Sequence, residues 1–269
     1  MKYEIRELGI SAILDQSIKL IQDNFKLLFG IVLVLLVPYC LVHGFVSLAF
    51  LPAPPQNRTD EAVAAYYRAI LAALPVLLPM FLILTYVIIP ITNSALIHAI
   101  ARVYLNQPTS VGQSFQLAVR RFLPMLGTVF VFVLALIGGL LLCLVPAIFV
   151  ALSFALATQV VILEGLSGFA ALKRSKELMN GNRIKLLILG VIVFLINVAV
   201  IIAAAFIPQP QVQTILMAFV QGVTTLFSSA AGVIFYFSAR CKHENFDLKL
   251  LAESVGTADI VPEADADLL

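Results

Sequence analysis

The chain has 269 residues, of which 61% are hydrophobic and 12% charged, with a mean hydropathy of +1.04 and a formal net charge of +2. Soluble domains carry roughly a quarter charged residues, so there is too little polar surface here to clothe a water-soluble exterior. No basic face of the kind nucleic acid requires is present, and Cys40, Cys143 and Cys241 show no metal-like spacing.

In chain order, residues 10–24 place Ile10, Ile13, Leu14, Ile18 and Ile21 at helical spacing, with Asp15, Gln16, Lys19, Gln22 and Asp23 elsewhere around the turn. The first apolar span is 25–50, longer than the h-region of a signal peptide, so it is expected to stay in the mature protein. Pro52, Pro54 and Pro55 open a loop in which Asn57-Arg58-Thr59 fits a glycosylation sequon, a triplet that chance often produces. A helix can begin near Glu61, and the second span is expected over 72–97.

A second amphipathic stretch, 110–122, precedes an uncharged run over 123–163. As a helix that run is about 60 Å long and must cross a hydrocarbon core of roughly 30 Å twice. The turn is expected around Gly138-Gly139 and Pro146. The third amphipathic stretch, 167–182, sets Phe169, Leu172, Leu178 and Met179 against Lys173, Lys176 and Asn180. Span five covers 184–206 and is ended by Pro208-Gln209-Pro210; span six covers 214–237. The last residues, 253–269, hold Glu253, Asp259, Glu263, Asp265 and Asp267 with no Lys or Arg, the composition of a disordered acidic tail.

Of the 17 Lys and Arg residues, only Arg58 and Arg68 fall between spans one and two; the rest lie in segments on the other side. The positive-inside rule then predicts six spans with both termini cytoplasmic. The layout also repeats. Aligned on Ser17, Ser114 and Ser175, each amphipathic stretch has a leucine three positions later: Leu20, Leu117 and Leu178. The expected fold is all-α: an integral membrane protein of six transmembrane helices in three hairpins, each preceded by a cytoplasmic amphipathic interfacial helix. The units are about 8–100, 108–163 and 167–237, with a cytoplasmic close at 238–252, so that 1–252 forms one membrane domain. Such interfacial helices either contact lipid headgroups or pack on their own bundle, and can do both.

Candidate site residues follow from this layout. Arg120, Arg121, Lys173, Arg174, Lys176 and Arg183 form a basic layer suited to anionic lipid headgroups. Glu164 closes span four just ahead of a helix that can turn Arg174 or Lys173 back onto it as a structural ion pair. The span cores lack the ionisable residues that mark ion pathways. Asn197, Gln221 and Thr224 are the notable intramembrane polar groups, at depths that let them meet between spans five and six. His43, His98 and His243 sit at different depths with no shared ligand spacing, so neither a metal nor a cofactor is expected, and no catalytic residues are identified.

Three blocks carry a resemblance. They are Gly9-Ile10 with Ile13-Leu14-Asp15-Gln16-Ser17 and Asn24-Phe25; Glu164-Gly165 with Ala170 through Asn182; and Phe235 through Arg240 with Asn245 through Leu251. Together they resemble bacterial proteins similar to the membrane domain of glycerophosphoryl diester phosphodiesterases. Ser238-Ala239 departs from the Asp-Leu type pair of that family. The resemblance implies an architecture and a bacterial inner-membrane location rather than phosphodiesterase activity. The expected function is non-catalytic, structural or regulatory at the cytoplasmic leaflet, engaging lipid headgroups or a partner protein. The alternative is a small transporter or channel for a polar or glycerophosphodiester-like solute.

Overall fold

The computed structural model describes residues 3–51, 59–250 and 252. The proline loop at Pro52, Pro54 and Pro55, most of the sequon and the acidic tail 253–269 lie outside the described residues. Every described element is helical: α1 (Ile10–Asp23), α2 (Phe25–Phe50), α3 (Asp60–Ile83), a π-helical segment (Leu84–Ile88), α4 (Ile89–Tyr104), α5 (Val111–Arg120) and α6 (Phe122–Leu142), then α7 (Leu144–Ser153), α8 (Ala157–Leu163), α9 (Gly168–Leu178), α10 (Arg183–Ala205) and α11 (Pro210–Glu244). Six helical stretches are long and apolar enough to cross a membrane. Phe194, Phe206, Leu141 and Leu142 are among many large apolar side chains left exposed, a surface that suits lipid rather than water. This is a multi-pass membrane protein.

Two spans are longer than the hydropathy pattern predicts. The second is one helical rod from Asp60 to Tyr104, 45 residues, rather than 72–97. It starts early because Thr59 caps it, its hydroxyl accepting from Ala62 N at 3.3 Å, while Asp60 and Glu61 sit favourably in the first turn. The last is α11, 35 residues instead of 214–237. It continues through polar residues to Asn245, whose φ of 52° ends it in the left-handed region.

Span four differs in kind. The chain turns at Cys143, between the expected glycines and Pro146, and Gly139 lies so close to α7 that an added Cβ would stand 3.0 Å from Ala147 Cα. The span then breaks between Ser153 and Ala157. The break is held by Ser175 of α9, fully buried, whose hydroxyl donates to Ser153 O and accepts from Leu156 N, each at 3.1 Å.

The three aligned serines, Ser17, Ser114 and Ser175, are all fully buried, so each marks the inward face of its short helix. Helix α11 is the axis, packing against α1, α2, α4, α8, α9 and α10. Gly222 admits α2, since an added Cβ would meet Val32 at 2.7 Å and Val37 at 3.1 Å. The core gathers Leu28 and Ile31 of α2, Leu96 and Ile100 of α4, Val160 of α8 and Ile234 of α11, all fully buried. Leu8 N donates to Ser238 Oγ at 2.8 Å, while residues 18–25 share a cleft with residues 223–227. Helix α1 therefore runs antiparallel to α11. We call the end of the bundle holding Leu8, Ser238 and Glu244 the basic end.

Candidate functional site at the basic end

Helix α8 ends at Glu164, and Gly165, at φ 77°, turns the chain toward α9 in a conformation that favours glycine. That turn brings α9 back so that Arg174 Nε donates to Glu164 Oε2 at 2.8 Å and Oε1 at 3.1 Å. Tyr236 OH donates to Glu164 Oε1 at 2.7 Å. A terminal nitrogen of Arg174 bonds Glu244 Oε1, and Glu244 Oε2 accepts from Arg240 Nε at 3.1 Å. The result is an alternating chain, Tyr236–Glu164–Arg174–Glu244–Arg240, tying α8 and α9 to α11.

The four charged side chains of this chain are each only about a fifth exposed (17 to 23%), so it is not a surface pair. Burial alone would lower the Arg174 pKa, but its bonds to Glu164 and Glu244 outweigh burial and raise it above its ordinary value. Lys173, the other expected partner of Glu164, is exposed instead. Tyr236, Arg240 and Glu244 were not singled out by sequence reasoning. Their spacing of four was the available signal, because it sets all three on one helical face once α11 is extended to Glu244.

The six expected headgroup residues divide into two sets. Arg174 is committed to the carboxylates. Arg121 donates to Gly165 O at 3.2 Å, and Arg183 stands over the Phe149 ring at 4.2 Å with its Nε buried and unpartnered. Arg120, Lys173 and Lys176 are exposed and make no side-chain hydrogen bond or ion pair among the described residues. At the starts of α6, α9 and α10, Leu123, Phe169 and Ile184 are 77%, 78% and 73% exposed.

The N-terminal segment is fastened to the same end. Lys185 Nζ reaches Glu7 Oε1 at 2.8 Å and Lys242 Nζ reaches it at 3.4 Å. The hydrogen bond from Lys185 is the main cause that holds Glu7 below the usual carboxylate range. Tyr104 OH donates to Glu4 O at 2.6 Å. Ser238 Oγ accepts from Leu8 N.

Of the intramembrane polar groups, Asn197 and Thr224 share one cleft and Gln221 faces another. Asn197 donates to Val193 O at 2.8 Å and Gln221 to Thr225 Oγ1 at 3.4 Å, each within its own helix. Asn197 and Thr224 line a mostly apolar cleft of about 350 Å³ with Ile18, Gln22 and Phe25. Gln221 opens onto a different cavity, about 420 Å³, with His43, Thr85, Gln213 and Thr214. The π-helical segment supplies Thr85 to that wall, and Tyr39 OH bonds Met80 O at 2.6 Å just before it. His98 Nδ1 lies 3.2 Å from Ser114 Oγ and His243 Nε2 lies 3.0 Å from Asn180 O. Among the described residues, no three His, Cys, Asp or Glu side chains gather as a metal site.

No curated protein and no solved structure matches the chain. Residues 110–241, from the Ser110 cap of α5 to Cys241 near the end of α11, are similar to a family described as a domain of unknown function (DUF7847).

Proposed function

We propose that this is a non-catalytic protein of a bacterial inner membrane, with both termini cytoplasmic, whose basic end engages anionic lipid headgroups in a structural or regulatory role. In this reading α5 and α9 lie in the headgroup zone, each ahead of a pair of spans, while α1 descends beside α11. The carrying observation is that Arg120, Lys173 and Lys176 are exposed and without protein partners among the described residues, while Leu123, Phe169 and Ile184 at nearby helix starts are exposed as well. Apolar side chains that dip toward acyl chains beside cations at headgroup level are the signature of interfacial binding. Each near-surface cation gains about 1 kcal/mol from an anionic leaflet. The test is native mass spectrometry of the detergent-purified protein. Retained lipid enriched in anionic species over the source membrane supports the reading; retained lipid in the membrane's own proportions contradicts it.

Transport of a small polar solute is the second reading, favoured by the cavity that His43, Thr85, Gln213 and Gln221 line. Against it, Leu36 of α2, Leu96 of α4 and Leu226 of α11, each farther along its helix toward the basic end than that cavity's lining, are buried. A passage would require α2, α4 and α11 to separate there. Uptake of a polyol into proteoliposomes at a rate above protein-free vesicles would favour transport.

A further inference from the structure

We infer that the cavity between α4, α8 and α11 at the basic end is a phosphate-binding site, a deepening that rests on the lipid-engaging reading above. The cavity measures about 290 Å³, and its polar wall is made by Arg102, Arg240 and His98. That volume lies near the lower limit for small-molecule sites.

The two arginines are held differently. Arg240 is fixed by its Nε bond to Glu244 at 3.1 Å and by stacking over Phe246, guanidinium carbon to ring centroid 4.2 Å. Its terminal nitrogens have no hydrogen-bond partner among the described residues, so a positioned fork of donors remains. Arg102 makes only one long bond, to Pro108 O at 3.4 Å. The carboxylates nearby are already engaged: Glu244 by Arg174 and Arg240, and Glu164 by Arg174 and Tyr236. Among the described residues neither of those two acids bonds Arg102, whose guanidinium reaches only Pro108 O.

Two guanidiniums arriving from α4 and α11 suit an anion with several oxygens, which can accept from both at once. A phosphate does this and still carries an organic substituent. The rest of the lining, Leu117, Ile162 and Phe246, is apolar and accommodates such a substituent. His98, its Nδ1 engaged by Ser114, completes the polar wall. The phosphate comes either from a phospholipid headgroup or from a soluble phosphate, and the two sources share this chemistry.

The experiment uses the full chain with two probes: inorganic phosphate by titration calorimetry, and dioleoyl phosphatidic acid added to phosphatidylcholine nanodiscs and read by native mass spectrometry. Wild type, Arg102→Gln and the surface variant Arg120→Gln/Lys173→Gln/Lys176→Gln are compared. Loss of a charged hydrogen-bond donor to a phosphate is expected to weaken binding about tenfold or more. Arg102→Gln should therefore lose the tightest bound phosphate while keeping the wild-type unfolding midpoint, and the surface variant should keep that one. Should Arg102→Gln fold poorly, Leu105→Phe, which fills the cavity without removing charge, should give the same loss. Calorimetric binding that is lost in Arg102→Gln assigns the site to soluble phosphate; loss of a lipid adduct alone assigns it to a headgroup. Binding of neither probe, or binding indifferent to both Arg102→Gln and Leu105→Phe, overturns the site. A surface variant that keeps its full anionic lipid overturns the broader lipid reading instead.

Discussion

Arg174 shows how much one turn of chain decides. An exposed ion pair contributes about 0–1 kcal/mol, the scale expected if Glu164 and Arg174 met in solvent. The pair is instead mostly buried and continues into Glu244 and Arg240. Removing one member of such a network strands its partner's charge, at a cost of about 3–5 kcal/mol. Arg174→Gln should destabilise the folded protein on that scale, and Lys173→Gln should leave it within error, as measured by thermal unfolding in detergent. Equal effects of the two would mean that the network contributes no more than surface charge. Glu7 adds a smaller pH dependence. Its folded pKa is held down by Lys185, so its contribution is present above the unfolded value and fades as pH falls through the folded one. With Glu7 side chain nearly half exposed, the effect is slight. Glu7→Gln should abolish that part of the acid-side loss below about pH 4.5, read from unfolding midpoints across pH. The Glu164–Arg174 contact was legible because Glu164-Gly165 announces a turn before a helix. The remainder of the network was not, because hydropathy stops at Phe237 while the helix does not.

At the scale of elements, the break in span four is the least legible feature. Residues 154–156 are Phe, Ala and Leu, with no Gly or Pro to mark a stop, and the helix is interrupted there beside a serine arriving from α9. Ser175→Ala should leave Leu156 N buried without an acceptor and cost about 1–3 kcal/mol. Ser17→Ala removes only a bond to its own helix carbonyl, Ile13 O at 2.6 Å, and should cost less. The discriminating comparison is the shift in unfolding midpoint between the two; an equal shift would mean that Ser175 does not staple the break. Gly222 makes a similar argument for α2 against α11. Gly222→Ala forces Val32 and Val37 to give way, and overpacking of this kind costs about 1–3 kcal/mol. The serine alignment, by contrast, is readable in the sequence: Ser17, Ser114 and Ser175 share a register because all three face inward.

For the whole molecule, composition specified the membrane and the number of spans, because lipid leaves apolar length as its imprint on sequence. It did not specify that Asn197 and Gln221 would face different cavities, which depends on how α11 is rotated between its neighbours. Orientation rests on the basic asymmetry. In a background with Cys40, Cys143 and Cys241 replaced, a cysteine at Asp60 should react with an impermeant reagent added to sealed cells, and one at Lys176 should not. The structure also narrows which cations can meet lipid. Arg121 and Arg174 are held by protein groups, so neutralising them mixes folding with binding, whereas Arg120, Lys173 and Lys176 make no such bonds among the described residues. The most direct measurement is therefore the amount of phosphatidylglycerol retained by Arg120→Gln/Lys173→Gln/Lys176→Gln against wild type, after identical exchange from mixed phosphatidylglycerol–phosphatidylcholine nanodiscs. The account predicts an unchanged unfolding midpoint and a clear loss of retained phosphatidylglycerol, diminishing as salt screens the wild type. A folded variant that keeps its full complement of phosphatidylglycerol at low salt would contradict it.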